Sequence, residues 1–125
     1  MAGLTTLRFR SGLIKVPRLQ SPVGSTIRVH IKARNVAITL VRPRQISVQN
    51  ILPRTVEEIF QVAGPLVDVR LNIGCPLLSR ITHAALHDLD LHQGQQVFAL
   101  INSVAVSHSG ISRLLFTRSS PASGL

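Results

Sequence analysis

The chain has 125 residues, of which 45% are hydrophobic, so it is long enough for one barrel-sized core and too short for two large domains. Fourteen Lys and Arg against five Asp and Glu give a net charge of +9, which attracts anions without specifying which. Nucleic acid is not expected as a partner, because platforms for single strands need aromatic faces, and the chain has four Phe, no Tyr and no Trp.

Cysteine content and hydropathy indicate the compartment. Cys75 is the only cysteine, which excludes an internal disulfide and a cysteine-based zinc cluster and fits a reducing cytoplasm. Residues 1–10 lack the continuous apolar core of a signal peptide, and no stretch approaches the roughly 18 apolar residues that span a bilayer. We therefore expect a soluble protein.

Residues 25–40 alternate between apolar and polar side chains, the period typical of a half-buried strand. The alternation shifts by one residue at Arg34 and Asn35, which would reverse the buried face unless a bulge or turn absorbs the shift. The basic residues Arg28, Lys32 and Arg34 are interpreted as the exposed face of this strand rather than as a track for anions.

Proline and serine content suggest how the chain is divided. Pro43, between two arginines, interrupts the strand pattern because proline lacks an amide hydrogen and restricts the residue before it. We therefore expect residues 1–43 to form an N-terminal strand segment that packs on a barrel formed by residues 44–106. Residues 107–125 are rich in serine, with apolar anchors only at 111–116, which predicts a flexible tail.

The central segment contains four strand patterns, then a short helix and a final strand at 95–106. The first four strands are predicted at residues 46–52, 55–62, 67–73 and 77–81. Thr82 can cap the helix, and Gly94 marks its end. This order predicts an all-β, OB-fold-like five-stranded Greek-key barrel with one short helix, provided that residues 25–40 supply the missing pairing.

Three blocks of this segment, taken together, resemble a known family. They are ISVQNILP at 46–53, the strand at 67–73, and ITHAALHDLDLHQGQQVFALINSVAV at 81–106. Their order and spacing resemble the mop, or TOBE, domain, the C-terminal molybdate-binding regulatory domain of the ATP-binding subunit of molybdate importers. The upstream VHIKARNVAITLVRP resembles the segment that links that domain to the ATPase, so the resemblance covers about residues 7–106.

The resemblance implies a function and a set of partners. The barrel would pair with a second copy as a homodimer and hold tetrahedral molybdate or tungstate at the interface, so that the bound oxyanion inhibits transport. The partners would be the ATP-binding domain and the membrane permease, at the cytoplasmic face of the cell membrane, with no metal ion or organic cofactor. The implied oxyanion-binding residues are Ser47, Gln49, Asn50, Asn102 and Ser103.

Two of these positions depart from the family pattern. The family usually has arginine at the position of Gln49 and lysine at the position of Asn102. Both substitutions keep a hydrogen-bond donor and remove a charge, and bonds to charged groups contribute about 1.5–3 kcal/mol against about 1 for neutral pairs. One alternative is therefore a structural or dimerisation module that no longer binds a ligand, and another is a basic nucleic-acid-binding barrel.

No catalytic role is predicted. A transporter ATPase needs a glycine-rich phosphate loop with Gly-Lys-Ser or Gly-Lys-Thr, and the sequence has neither. Ser47 fits no catalytic triad, since none of the five acidic residues stands in a triad motif. His83 and His87 have the spacing of a metal-binding pair but no evident third ligand, and we interpret Cys75 as a residue of a turn.

Overall fold

The structure, a computed structural model, describes residues 4–9, 12–17, 23–24, 26–48, 50–73, 76–102, 105–107 and 114–118. It divides the chain into two compact units, one of residues 31–103 and one of residues 1–30 with 104–125. The described elements are β1 (Leu4–Phe9), β2 (Gly12–Pro17), β3 (Thr26–His30), a 3-10 turn (Ala33–Asn35), β4 (Val36–Thr39), β5 (Asn50–Gln61), β6 (Leu66–Asn72), β7 (Pro76–Thr82), α1 (His83–Asp88), β8 (Gln96–Ile101), β9 (Ala105–Ser107) and β10 (Leu114–Arg118).

The unit of residues 31–103 is a curled antiparallel sheet with the strand order β4-β8-β5-β6-β7. Strands β5, β6 and β7 follow one another as neighbours, and β8 then returns to lie beside β5. This is the Greek-key arrangement, in which the fourth strand pairs with the first. The predicted OB-fold-like five-stranded barrel with one short helix is confirmed.

The fifth strand of the barrel comes from the segment before Pro43. A 3-10 turn at Ala33–Asn35 absorbs the one-residue shift in the alternation, and β4 then pairs with β8 from Val36 opposite Ile101. Residues 25–40 were expected to supply the missing strand of the barrel. Within them, β4 alone does so, because β3 lies in the other sheet. Lys32 and Arg34 are exposed, as expected, but they lie in and beside the 3-10 turn, so their placement on a strand was wrong.

Strand β5 runs through Pro53, although we expected separate strands at 46–52 and 55–62. Pro53 lies opposite Phe98 of β8, while pairing with β6 begins only at Val56. A missing amide hydrogen is tolerated where a strand has a neighbour on one side only, so the proline does not end the strand. β5 pairs with β8 as far as Thr55 and with β6 from Val56 onward, and the register with β6 shifts between Val56 and Glu58.

The core of the barrel follows the alternation seen in the sequence of β6 and the residue after it. All four apolar members of that series are at most 1% exposed: Val67, Val69, Leu71 and Ile73. Asp68, on the opposite face, is also buried, because Arg80 of β7 donates two hydrogen bonds to its carboxylate, at 2.8 and 3.0 Å. These bonds raise the pKa of the Arg80 guanidinium.

The two edge strands of the barrel sheet, β4 and β7, are joined by a side chain. The Ser79 hydroxyl is fully buried and donates a hydrogen bond to the backbone carbonyl oxygen of Val36, at 2.5 Å. A buried carbonyl needs a donor, and this contact supplies one where the sheet has no further strand. Ser79 therefore stabilises the closure of the barrel.

We expect Ser79→Ala to lower the free energy of unfolding by about 1–3 kcal/mol, because it removes a buried hydrogen bond and leaves the Val36 carbonyl oxygen without this donor. Urea unfolding followed by far-ultraviolet circular dichroism measures the change. Ser47→Ala, at an exposed position, is the matched control. Equal stability of the two variants would contradict a role for Ser79 in closure.

The short helix α1 begins as the sequence predicted. The Thr82 side-chain oxygen accepts a hydrogen bond from the backbone N–H of Ala85 at 3.0 Å, which confirms Thr82 as the N-cap. Gly94 has a φ of +89°, a conformation that favours glycine, and its backbone N–H donates to the Val56 carbonyl at 2.8 Å. The turn after α1 is thereby fixed to β5 just before β8 begins.

The other unit contains a five-stranded antiparallel sheet with the order β2-β1-β10-β3-β9. Its described core residues include Leu7, Ile14, Val16 and Val29, all at most 1% exposed. The predicted strand at 95–106 is thus divided, since β8 belongs to the barrel and β9 pairs with β3. Strand β10 lies within the segment that we expected to be a flexible tail.

Candidate functional site

The two sequence blocks that carry the expected oxyanion residues meet at one edge of the barrel. Asn50, the first residue of β5, lies opposite Ile101, the last residue of β8. Since the two strands are antiparallel neighbours, the residues leading into β5 and those leaving β8 lie at the same end of the sheet. We call this place the anion edge, defined by Ser47, Asn50 and Asn102.

The three residues of the anion edge differ in exposure. Ser47 and Asn102 are exposed, whereas Asn50 is 7% exposed. The Ser47 hydroxyl and the Asn102 amide are therefore accessible from solvent, whereas the Asn50 side chain is not. Gln49 and Ser103 lie outside the described residues, so their expected contribution stays a prediction.

A third segment, which the sequence did not assign to the site, reaches the anion edge. The backbone N–H of Asn102 donates a hydrogen bond to the Asn35 carbonyl oxygen at 2.9 Å, so the 3-10 turn is held directly against the end of β8. Arg34, the residue before Asn35, is exposed and carries a positive charge. The one-residue shift in the alternation at Arg34 and Asn35 was the signal for this turn, but nothing in the sequence placed it beside Asn102.

The chemistry available at the anion edge is that of hydrogen-bond donation near a cation. The Ser47 hydroxyl and the Asn102 amide are neutral donors, and Arg34 lies next in sequence to the residue bonded to Asn102. Acceptor-only carboxylates are absent from residues 31–56, because all five acidic residues of the chain lie between Glu57 and Asp90. Such a combination suits a small anion better than a cation.

The two glutamates of β5 are paired with residues of β6. Arg70 pairs with Glu58 at 2.7 Å and with Glu57 at 3.4 Å, and Asn72 donates to Glu57 at 3.1 Å. The segment before β5, by contrast, carries Lys32, Arg34, Arg42 and Arg44 and no acidic residue.

Metal binding has no support in the part of the chain that the structure describes. Within it, no group of three or more His, Cys, Asp or Glu side chains could hold a metal ion. His83 and His87 are exposed on α1, and His92 Nδ1 lies 3.0 Å from the Asp90 carbonyl oxygen. Cys75 lies outside the described residues.

Comparison with known proteins places these features in a family. Residues 46–107 match the model of the TOBE domain, a segment that includes both strands of the anion edge. The chain belongs to the TOBE domain family. The resemblance stated from the three sequence blocks is therefore confirmed.

Among proteins with curated descriptions, this TOBE chain is similar to several named Molybdenum import ATP-binding protein ModC. It is 39% identical over 104 residues to that of Mesorhizobium japonicum, which covers 82% of this chain and 28% of the relative. Over 110 residues it is 36% identical to that of Rhodospirillum rubrum, covering 83% of this chain and 30% of the relative. The Vibrio vulnificus protein is 38% identical over 102 residues, with 77% and 28% covered.

The chain thus spans less than a third of the length of these relatives. The matched portion is the non-catalytic TOBE portion, and the 125 residues contain no Gly-Lys-Ser or Gly-Lys-Thr phosphate loop. This chain itself therefore carries no ATPase site. In its described residues, no helix has the length and the hydropathy that crossing a lipid bilayer requires.

Proposed function

We propose that this TOBE domain is the oxyanion-sensing regulatory part of a molybdate importer and that it binds tetrahedral molybdate or tungstate at the anion edge. The observation that carries the proposal is the pairing of Asn50 of β5 with Ile101 of β8, which brings the segments that contain Ser47 and Asn102 to the same end of a barrel whose relatives are named as molybdenum import proteins.

Electrostatics supports the proposal. The anion edge has Arg34 beside it and no acidic residue in the segment of residues 31–56, so a dianion would be attracted rather than repelled. Gln49 and Ser103 are the further residues that we propose as donors. Neutral donors in a fixed geometry can bind an oxyanion, although with lower affinity than charged ones.

The proposed context follows from the relatives. The domain would act on an ATP-binding domain and, through it, on a membrane permease, as a peripheral component at the cytoplasmic face of the membrane. We further propose a homodimer, in which two anion edges enclose the ligand and exclude water. Burial between two subunits strengthens each donor contact, because the effective dielectric constant falls.

Calorimetric titration of the purified chain with molybdate, tungstate, sulfate and phosphate at near-physiological salt tests the proposal. We expect micromolar binding of molybdate or tungstate, which corresponds to about −8 kcal/mol, and no comparable heat from sulfate or phosphate. Sedimentation measures the oligomeric state in the same samples. A dimer that gives no heat with either metal oxyanion would contradict the proposal and leave a structural module.

A variant that introduces a negative charge locates the binding. Asn102→Asp keeps the side-chain shape, replaces the amide donor with a carboxylate and repels an anion, so molybdate binding should be lost. Gln93→Glu, at an exposed position in the turn after α1, adds the same charge elsewhere and should bind as the parent does. Equal loss in both variants would indicate a net-charge effect and not a site at the anion edge.

A further inference from the structure

The two compact units carry very different charge. The unit of residues 1–30 with 104–125 contains seven of the fourteen Lys and Arg residues and none of the five acidic residues, which all lie from Glu57 to Asp90. Its formal charge is therefore +7, whereas the unit of residues 31–103, with seven basic and five acidic residues, carries +2. The basic residues of the first unit are Arg8, Arg10, Lys15, Arg18, Arg28, Arg113 and Arg118. The anion edge lies in the other unit, so the function proposed for it leaves this excess of charge unexplained.

Strands β1 and β2 show on which face of their sheet part of this charge lies. Leu7 and Ile14 lie opposite each other and are at most 1% exposed, so they define the buried face. Arg8 and Leu13, the next opposed pair, therefore lie on the other face, together with Lys15, two residues beyond Leu13. All three are exposed. We call this surface the basic face, defined by Arg8, Leu13 and Lys15.

An apolar side chain lies among the cations of the basic face. Leu13 is 49% exposed, although the solvent side of an antiparallel strand with one buried face usually carries polar residues. It is the cross-strand partner of Arg8 and shares its strand face with Lys15. A leucine flanked by cations suits a partner that offers negative charge and hydrocarbon close together, as the boundary between the headgroups and acyl chains of a bilayer does.

We propose that the basic face docks the chain on a lipid bilayer surface that carries anionic headgroups, with Leu13 at the acyl boundary and Arg8 and Lys15 among the phosphates. The cytoplasmic leaflet carries anionic lipids, and each Lys or Arg near such a surface raises the affinity by about fivefold. This attraction depends on charge and not on a free hydrogen-bond donor, so it persists whatever short-range bonds the cations make within the chain.

Other occupants fit the basic face less well. A second copy of the chain also carries a net charge of +9 and would be repelled. Single-stranded nucleic acid stacks on aromatic rings, but Phe9, the only aromatic residue of β1 and β2, shares the strand face of the buried Leu7. The centre of a stable protein interface is apolar and depleted in charge, whereas the basic face offers one leucine between two cations.

The proposed contact goes beyond the peripheral location proposed above, because the unit of residues 1–30 with 104–125 would touch the bilayer directly and not only through a permease. It does not depend on oxyanion binding, since the anion edge belongs to the other unit. Calorimetry with molybdate and binding to vesicles are separate measurements on the same protein. Failure of either one therefore leaves the other proposal standing.

Flotation of the full chain with lipid vesicles tests the proposal. At about 0.15 M salt, we expect the chain to float with vesicles of mixed phosphatidylcholine and phosphatidylglycerol and not with vesicles of phosphatidylcholine alone. Higher salt should weaken the binding without abolishing it, because salt screens the cations but not the burial of Leu13. Equal flotation with both kinds of vesicle, or flotation with neither, would overturn the proposal.

A pair of charge variants locates the contact. Arg8→Gln combined with Lys15→Gln should weaken binding to the anionic vesicles by about tenfold or more, because two cations leave the basic face. Lys32→Gln combined with Arg44→Gln removes the same charge from exposed positions of the other unit. That control should lose less than about threefold, since its charges are not on the docking face. Equal losses in the two double variants would mean that only net charge matters and would overturn the proposal.

A second pair of variants tests the leucine without changing the charge. Leu13→Ser should weaken binding by about threefold or more, because it removes the side chain that reaches the hydrocarbon. Val41→Ser, at a side chain 70% exposed in the other unit, should bind as the parent does. Duplex DNA and poly-glutamate, added at the same total negative charge as the lipid, serve as competitors. Release of the chain from the vesicles by either polymer would overturn the proposal in favour of nucleic acid or of an acidic protein.

Discussion

Replacing Ile101 with alanine is expected to lower the free energy of unfolding by about 2–5 kcal/mol, the range for truncating a large buried aliphatic side chain. Ile101 is 1% exposed and lies between Val36 of β4 and Asn50 of β5, so its side chain packs where three strands of the barrel meet. Truncation removes buried methyl groups and leaves a cavity that a sheet paired on both sides cannot close. Urea unfolding followed by circular dichroism measures the loss.

A graded series separates packing from other causes. Ile101→Val removes one methylene group and should cost only about 0.5–1.5 kcal/mol. Leu40→Ala, at a side chain 40% exposed, should cost less than Ile101→Ala because that position is already in contact with water. If Ile101→Ala unfolded at the same urea concentration as the parent, the position of Ile101 in the core would be wrong.

Placing a positive charge at the anion edge should strengthen ligand binding. Asn102→Lys should raise the affinity for molybdate by about tenfold or more, because bonds from a charged donor contribute roughly 1–2 kcal/mol more than neutral ones. The change should be tolerated, since the contact that Asn102 makes with Asn35 comes from its backbone N–H, and its side chain is exposed. Combination with Gln49→Arg should increase the gain further. Calorimetry with molybdate measures both variants.

The matched control for this gain is a lysine placed elsewhere. Gln93→Lys adds the same charge in the turn that precedes β8, and β8 is about 20 Å long. Screening at physiological salt reduces the influence of a charge at that distance, so little gain is expected. If Gln93→Lys raised the affinity for molybdate as much as Asn102→Lys does, the affinity would depend only on the net charge of the chain.

Those parts of the fold that depend on local chemistry were predictable from the sequence. Thr82 caps α1 because a hydroxyl two or three residues before a free backbone N–H can accept its hydrogen bond, whatever the rest of the barrel does. The alternation from Val67 to Ile73 predicted the buried face of β6, because successive side chains of a strand point to opposite sides. The order of the strands and the helix predicted the barrel, and the family resemblance added both blocks of the anion edge.

What the sequence did not predict depends on which strand lies beside which. Pro53 was expected to end a strand, and only its position on a stretch of β5 with one neighbour explains why it does not. Asp68 lies on the face of β6 opposite the core, and only the arrival of Arg80 on the adjacent strand explains its burial. The contact between Asn35 and Asn102 likewise joins segments whose proximity no local pattern encodes.

The order of strands also bears on how the protein folds as it is made. Strand β4 pairs with β8, the last barrel strand to leave the ribosome, and in the other sheet β1 pairs with β10. Strands β1 and β4 therefore have unpaired backbone hydrogen-bonding groups until β10 and β8 have been synthesised. Such a topology has a high contact order, which slows folding and prolongs the exposure of β-rich segments to aggregation. We expect the yield of folded chain to depend on protection of unpaired strand edges during synthesis, more than the yield of a protein built from local hairpins does.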